Sequence, residues 1–384
     1  MNIGFIGLGK LGLPVAEAMA THHTVTGYDI RAVESDKITI NYSIEQTVTE
    51  KDIVFIAVPT PHDTKYDGSA PTSHLVNKDF DYTDAITVLK AINPYLTKDQ
   101  TVVLISTVLP GTVRNTLCQY ITEAALIYNP YLIAMGTVAE DFVAPEMIMI
   151  GNEHGTVDHH VARLEQFYKT LLINRARIVT GTWEEMECIK IFYNTFISAK
   201  LSLVNMIQDV SERVGNINTD LVTDALAKST KRIMGPAYMK AGMGDGGPCH
   251  PRDNIALRWL AERYDLGYDL FDAIMTARER QAENLAIKLV DQNLPVVILG
   301  KSFKPGVDYT DGSYSLLVGY WCERHGKAVT YDTVLDRPAV YLLAHNVDHT
   351  ELIDQMPAGS VVVDPWRNRY VRSGITVIDY GLTR

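Results

Sequence analysis

The feature that most constrains this chain is its first turn. A five-residue strand-type run, Asn2–Ile6, leads straight into Gly7-Leu8-Gly9-Lys10-Leu11-Gly12, and a helical pattern follows over Leu11–Ala20. A GxGxxG hexapeptide is a weak signal alone and a strong one between a strand and a helix. Gly7 permits the tight turn, Gly9 lets the backbone approach a pyrophosphate, and Gly12 lets the helix pack closely on the strand. The anion then meets the free N–H groups of a helix N-terminus. Asp29 follows the next strand, Thr24–Tyr28, 22 residues after Gly7, where a carboxylate can hold the ribose hydroxyls of adenosine. Its charge repels a 2′-phosphate, so the predicted cofactor is NAD. Arg31 is the residue that argues for NADP. The cofactor set read here is Gly7, Gly9, Lys10, Leu11, Gly12 and Asp29.

The same alternation continues. Ile53–Val58, Thr101–Ser106 and Ala125–Tyr128 read as strands, with helices at Tyr82–Ala91 and Val113–Thr122. Met147–Ile150 and Arg177–Val179 read as further strands flanking a helix at Val157–Leu171. Such spacing predicts βαβ units and a mostly parallel sheet. The pattern changes after Gly181. Thr182–Val214 holds neither Gly nor Pro, and Met186, Ile189, Phe192, Tyr193, Phe196 and Ile197 recur at helical spacing. That predicts one long helix, apolar on more than one face, which serves as a spine and pairs with a second copy of the chain. Helices are predicted at Leu221–Lys228, Arg252–Tyr264 and Tyr268–Leu289. Strands at Val296–Leu299, Val329–Tyr331 and Ser360–Val363 and a helix at Ser315–His325 then make a second α/β unit. The predicted class is α/β: an N-terminal Rossmann-type parallel sheet (1–180), a central all-helical region with one long helix (181–290), and a smaller Rossmann-like C-terminal α/β domain (291–384).

Composition narrows the partners. The 35 basic and 46 acidic residues give a net charge of −11, which disfavours binding to a nucleic-acid backbone. No apolar run approaches the roughly 20 residues of a membrane helix, and the N-terminus enters its glycine turn too early for a signal peptide. Cys118, Cys188, Cys249 and Cys322 are far apart, with no CxxC pair, which predicts reduced thiols in a cytoplasmic protein. Gly300-Lys301-Ser302 imitates the end of a P-loop, but Pro295 stands where that motif needs its first glycine.

The second chemical signal is Gly242-Met243-Gly244-Asp245-Gly246-Gly247-Pro248-Cys249-His250-Pro251-Arg252-Asp253. Pro251 fits the first turn of the following helix, so Cys249 is predicted at a helix N-terminus with Arg252 nearby, a setting that favours a thiolate. Cys118, Cys188 and Cys322 read as buried structural cysteines. The loop resembles the cysteine loop of the UDP-glucose/GDP-mannose dehydrogenases, GFGGSCxxKD. Further stretches of that family occur in order: Val58-Pro59-Thr60-Pro61, Ser106-Thr107-Val108-Leu109-Pro110-Gly111-Thr112, Asn129-Pro130, Asp141-Phe142, then Glu187, Lys190, Asn194 and Asn205 on the long helix, and Gly300-Lys301-Ser302-Phe303-Lys304.

The resemblance implies a four-electron oxidation of the C6 alcohol of a UDP- or GDP-hexose to a carboxylate with two NAD. Cys249 would form first a thiohemiacetal and then a thioester for water to hydrolyse. It implies that Lys190 and Asn194, at i and i+4 on one helix face, stabilise an oxyanion at C6. Thr107 would position a water, and Asp253 would support the cysteine–lysine site. Val58, Pro59, Thr60, Ser106 and Thr107 join the cofactor set. Gly246, Arg232, Tyr238, Lys240, Phe303 and Lys304 join Lys190 and Asn194 as substrate contacts, and a homodimer through the long helix is implied.

The chain also departs from the family pattern. In place of NPEFLxEG it has Asn129-Pro130-Tyr131-Leu132-Ile133-Ala134-Met135-Gly136, so Tyr131 and Met135 occupy both glutamate positions. A phenol is a poor base at neutral pH and a thioether is none. Asp245 replaces Phe, Pro248 replaces Ser, His250 replaces an apolar residue and Asp311 replaces an arginine. An imidazole is a candidate substitute base, and a helix cap is the alternative for His250. Two other readings are a member that stops at partial oxidation or only binds NAD and nucleotide sugar, and an oxidoreductase of the β-hydroxyacid type, which needs no Cys249. His154, His159 and His160 lack metal-ligand spacing and read as a solvated helix end, so no metal is predicted.

Overall fold

A computed structural model describes all residues of the chain except 62–64, 66–69, 135, 246, 248 and 384. Two compact units are present, Met1–Leu201 and Ser202–Arg384.

The first unit runs β1 (Asn2–Ile6), α1 (Gly12–Met19), β2 (Thr24–Tyr28), β3 (Thr39–Ile40), α2 (Ile44–Val48), β4 (Ile53–Ile56), α3 (Thr83–Ile92), β5 (Thr101–Leu104), β6 (Ala125–Tyr128), α4 (Val138–Val143), β7 (Met147–Asn152), α5 (His159–Leu171) and β8 (Arg177–Thr182), and α6 (Trp183–Val214) begins in it. The strand order is β3-β2-β1-β4-β5-β6-β7-β8. All pairs are parallel except β6–β7. Sequences such as Ile53-Val54-Phe55-Ile56 and Thr101-Val102-Val103-Leu104 have no polar alternation because both faces are covered. Ile53 and Phe55 enter one apolar layer, Val54 and Ile56 the other.

The second unit contains the end of α6, then α7 (Thr219–Ala227), α8 (Cys249–Arg263), α9 (Leu270–Val290), β9 (Val296–Leu299), α10 (Tyr314–Arg324), β10 (Val329–Tyr331), β11 (Val340–Leu343), α11 (Thr350–Gln355), β12 (Val361–Asp364) and β13 (Thr376–Asp379). Its sheet is fully parallel, in the order β10-β9-β11-β12-β13. The α/β class, the N-terminal Rossmann-type sheet, the helical middle and the smaller C-terminal parallel sheet are therefore those read from the sequence.

Local differences have physical causes. The predicted helix Val113–Thr122 is a π-turn, Val113–Leu117, followed by a 3-10 turn, Cys118–Tyr120. Its entry is held by a side chain, since the buried Glu187 carboxylate accepts the N–H groups of Gly111 (2.5 Å) and Val113 (2.8 Å). His160 is not part of a solvated helix end: it is buried on α5 and bonds Thr101 Oγ1 of β5 at 2.8 Å. Cys118 and Cys188 are half-buried, unlike the fully buried Cys322. Among the described residues no helix is long and apolar enough to cross a membrane, and no group of three His, Cys, Asp or Glu residues is placed to hold a metal ion.

Candidate active site

Gly7 adopts φ +94°, and a Cβ there would lie 2.5 Å from the Ala57 carbonyl oxygen. A Cβ on Gly12 would lie 1.8 Å from the Gly7 oxygen, so turn and helix fit only without side chains. Gly9 differs: among the described residues its added Cβ would meet only the tip of Arg31, which leaves its backbone open to a ligand. Beside the turn is a cleft of about 450 Å³ lined in part by Gly7, Gly9, Asp29, Arg31, Val58 and Pro59. Asp29 accepts the Leu8 N–H at 2.8 Å and the Arg31 N–H at 2.9 Å, and pairs with the Arg31 guanidinium at 3.2 Å. Burial opposes its charge, but these donors outweigh it and hold the carboxyl below its ordinary value. Among the described residues no side chain caps the helix entry at Leu11. Open glycine backbone, uncapped N–H groups and an ionised carboxylate at the cleft edge fit a dinucleotide.

The other predicted cofactor residues, Lys10, Leu11, Gly12, Thr60, Ser106 and Thr107, are not among the residues that line this cleft. Lys10 is exposed and Leu11 packs on the core, while Gly12 is buried. Thr60 Oγ1 donates to the Thr107 carbonyl (2.6 Å) and Ser106 Oγ to the Val58 carbonyl (2.5 Å), so the loops after β4 and β5 brace each other.

On α6, Lys190 Nζ donates to the Tyr131 carbonyl at 2.6 Å, and burial lowers its pKa. Asn194, one turn on, is exposed. The Tyr131 phenol faces the other way. Tyr168 Oη donates to Asn129 Oδ1, and Asn129 Nδ2 donates to the Met149 carbonyl. Tyr168, having spent its proton, can only accept from Tyr131 across their 3.2 Å contact. Burial raises the Tyr131 phenol well above its ordinary value, with Tyr168 adding to the shift.

In the second unit the glycine loop lies on aromatic rings. A Cβ on Gly244 would stand 2.1 Å from the Tyr314 ring, and one on Gly242 would stand 2.3 Å from the Trp366 ring. Asp245 is paired with Arg278 of α9 at 2.5 Å, an arginine whose side chain is only 11% exposed. Gly247 N–H donates to the Gly312 carbonyl (3.2 Å), and Phe303 lies 3.6 Å from the place of a Gly247 Cβ. The loop ends at Cys249, exposed as the first residue of α8. Arg252 is ion-paired with Asp253 at 2.8 Å and also faces Cys249. The other thiols are less open: burial raises Cys188 and pushes Cys322 to about 12. Phe303 stacks edge-on with Tyr309 and carries Lys304 over its ring. Arg232, Tyr238 and Lys240 are exposed. Gly246, Pro248 and Met135 lie outside the described residues.

The family model of the NAD binding domain of the UDP-glucose/GDP-mannose dehydrogenases matches residues 30–172, and that of the central domain matches 184–280. The chain belongs to the UDP-glucose/GDP-mannose dehydrogenase family. Its cofactor is accordingly NAD. It is 27% identical to a UDP-glucose 6-dehydrogenase of Bacillus subtilis, over 94% of this chain and 86% of the relative. It is 26% identical to the GDP-mannose 6-dehydrogenase of Pseudomonas aeruginosa, over 99% and 92%. The fold matches a ternary complex of GDP-mannose dehydrogenase from Pseudomonas aeruginosa with a TM-score of 0.83, 22% identity and coverage of 98% and 99%.

Several side chains of this dehydrogenase escape sequence reasoning. Arg278, Tyr314 and Trp366 are far in sequence from the cysteine loop they support. The glycines at 242 and 244 are the available sign that bulky neighbours approach. Asp311, which stands at an arginine position of the family, bonds the Tyr309 hydroxyl and raises its pKa.

Proposed function

We propose that this dehydrogenase oxidises the C6 alcohol of a UDP- or GDP-hexose to the carboxylate, with Cys249 as covalent nucleophile. The observation that carries the reading is an exposed thiol on the first residue of α8, at the end of a glycine loop fixed on Tyr314 and Trp366. That thiol stands at a helix N-terminus and is faced by the Arg252 guanidinium. NAD, when bound, accepts the hydrides.

The chain's own residues do the rest. Gly9 and the open first turn of α1 receive the pyrophosphate, and Asp29 accepts from the ribose hydroxyls. Thr60 and Ser106 set the loops that carry Val58, Pro59 and Thr107, and Thr107 orients a water. Lys190, held by the Tyr131 carbonyl, places an ammonium for the oxyanion at C6, with Asn194 as second donor. Asp253 fixes Arg252 beside the thiol. The thiol adds to the aldehyde to give a thiohemiacetal, which after the second oxidation is a thioester. Phe303, Lys304, Gly246, Arg232, Tyr238 and Lys240 contact the nucleotide diphosphate and sugar.

Residues 1–180 serve the cofactor, 181–290 the chemistry and 291–384 the nucleotide. The functional form is a cytoplasmic homodimer paired through α6, a reading supported by the exposed Phe192, Phe196, Ile197, Leu201 and Leu203. The test is NADH formation over a panel of UDP- and GDP-sugars. Activity with one of them, abolished in Cys249→Ser, supports the reading. Full activity in Cys249→Ser favours a β-hydroxyacid-type reaction, and no turnover with any sugar leaves a binding protein.

A further inference from the structure

If the thioester forms, it must be hydrolysed, and neither family glutamate is present to assist. Tyr131 is no substitute, because its phenol donates inward to Tyr168 and is held neutral. Resting on the function proposed above, we infer that His250 is the base that activates water for thioester hydrolysis, oriented by Asp245.

Three observations converge. His250 directly follows Cys249 in the first turn of α8, so the two side chains leave the same turn about 100° apart. Its Nδ1 lies 4.0 Å from Asp245 Oδ2. Asp245 is itself fixed, since its other oxygen is bonded by Arg278 Nε at 2.5 Å, and Arg278 is clamped over the Tyr314 ring. The imidazole side chain is 56% exposed, so water reaches it. At 4.0 Å the Asp245 carboxylate is beyond hydrogen-bonding distance of Nδ1, and it acts through its charge, which favours the proton on that nitrogen and leaves Nε2 with a lone pair for water. The same two positions, 245 and 250, are both departures from the family pattern, and the structure shows them as neighbours.

In the step, the water oxygen bonds to the acyl carbon while its proton passes to His250 Nε2. The carbon–sulfur bond then breaks, the carboxylic acid is released, and the imidazolium returns its proton to the departing Cys249 sulfur.

The test is pre-steady-state NADH formation with a nucleotide sugar that the wild-type enzyme oxidises, followed by intact mass of the protein. His250→Asn is expected to keep the first-turnover burst, to lose about 100-fold or more in steady-state rate, and to carry an acyl adduct at Cys249. Added imidazole is expected to restore turnover in His250→Ala, which a purely structural histidine would not allow. Asp245→Asn is expected to slow the steady state with the burst intact. An unchanged steady-state rate without adduct in His250→Asn overturns the assignment, as does loss of the burst together with turnover. Failure of the underlying function would look different: wild-type enzyme would give no NADH at all.

Discussion

Lys190 Nζ donates to the backbone carbonyl of Tyr131 at 2.6 Å, which ties the long helix to the segment where the family carries its first glutamate. That segment carries Tyr131 in place of a carboxylate and holds the lysine through its backbone oxygen. Truncation in Lys190→Ala is expected to lower kcat by about 10²–10³-fold, the usual loss for one oxyanion donor. Because burial lowers the lysine pKa, the unfolded chain holds the extra proton between that lowered value and about 10.4. Stability therefore rises with pH across that window. Urea unfolding of wild type and Lys190→Met should show the difference moving in favour of wild type as pH rises.

Tyr131→Phe separates base chemistry from packing. The phenol bonds only Tyr168 among the described residues, so its removal should cost about 1 kcal/mol of stability. Turnover at neutral pH should be preserved. Thermal unfolding and kcat measured on the same preparation check both halves.

Asp29 is the residue proposed to hold the adenosine ribose of the cofactor. Loss of a hydrogen bond to a charged group is worth about 1.5–3 kcal/mol, so Asp29→Ala should raise the Kd for NAD by about 10-fold or more. Arg31 pairs with the same carboxylate and lines the same cleft, where a cation would favour a 2′-phosphate. Arg31→Ala should raise the preference for NAD over NADP, as read from titrations with each.

Glycine positions should separate by what their missing side chains would strike. A methyl at Gly244 meets the Tyr314 ring and one at Gly12 meets backbone. Each alanine variant should lose about 1–3 kcal/mol or more, in the range of overpacked cores. Among the described residues Gly9→Ala meets only the flexible end of Arg31, and it should fold normally while binding NAD less tightly.

Much of this architecture is legible in the amino-acid sequence. Gly7, Gly12 and Asp29 announce the first unit because a phosphate-binding turn leaves little chemical freedom. The long helix shows itself through the missing Gly and Pro between Thr182 and Val214. Strand β11, Val340–Leu343, is a short apolar run that only its place between β9 and β12 defines as a strand. The neighbours of Asp245 are hidden for another reason: Arg278 is 33 residues away, and one sequence does not reveal which helix face meets which loop. Tyr131 marks a departure, but the direction of its phenol depends on Tyr168 and Asn129, two partners chosen by packing.

The most direct test of covalent oxidation at Cys249 is the ratio of NADH formed to nucleotide sugar consumed, measured for wild type and Cys249→Ser. Two NADH per sugar in the wild type, with none sustained in the variant, is the predicted result. One NADH per sugar with free aldehyde released, or two in both proteins, would contradict it.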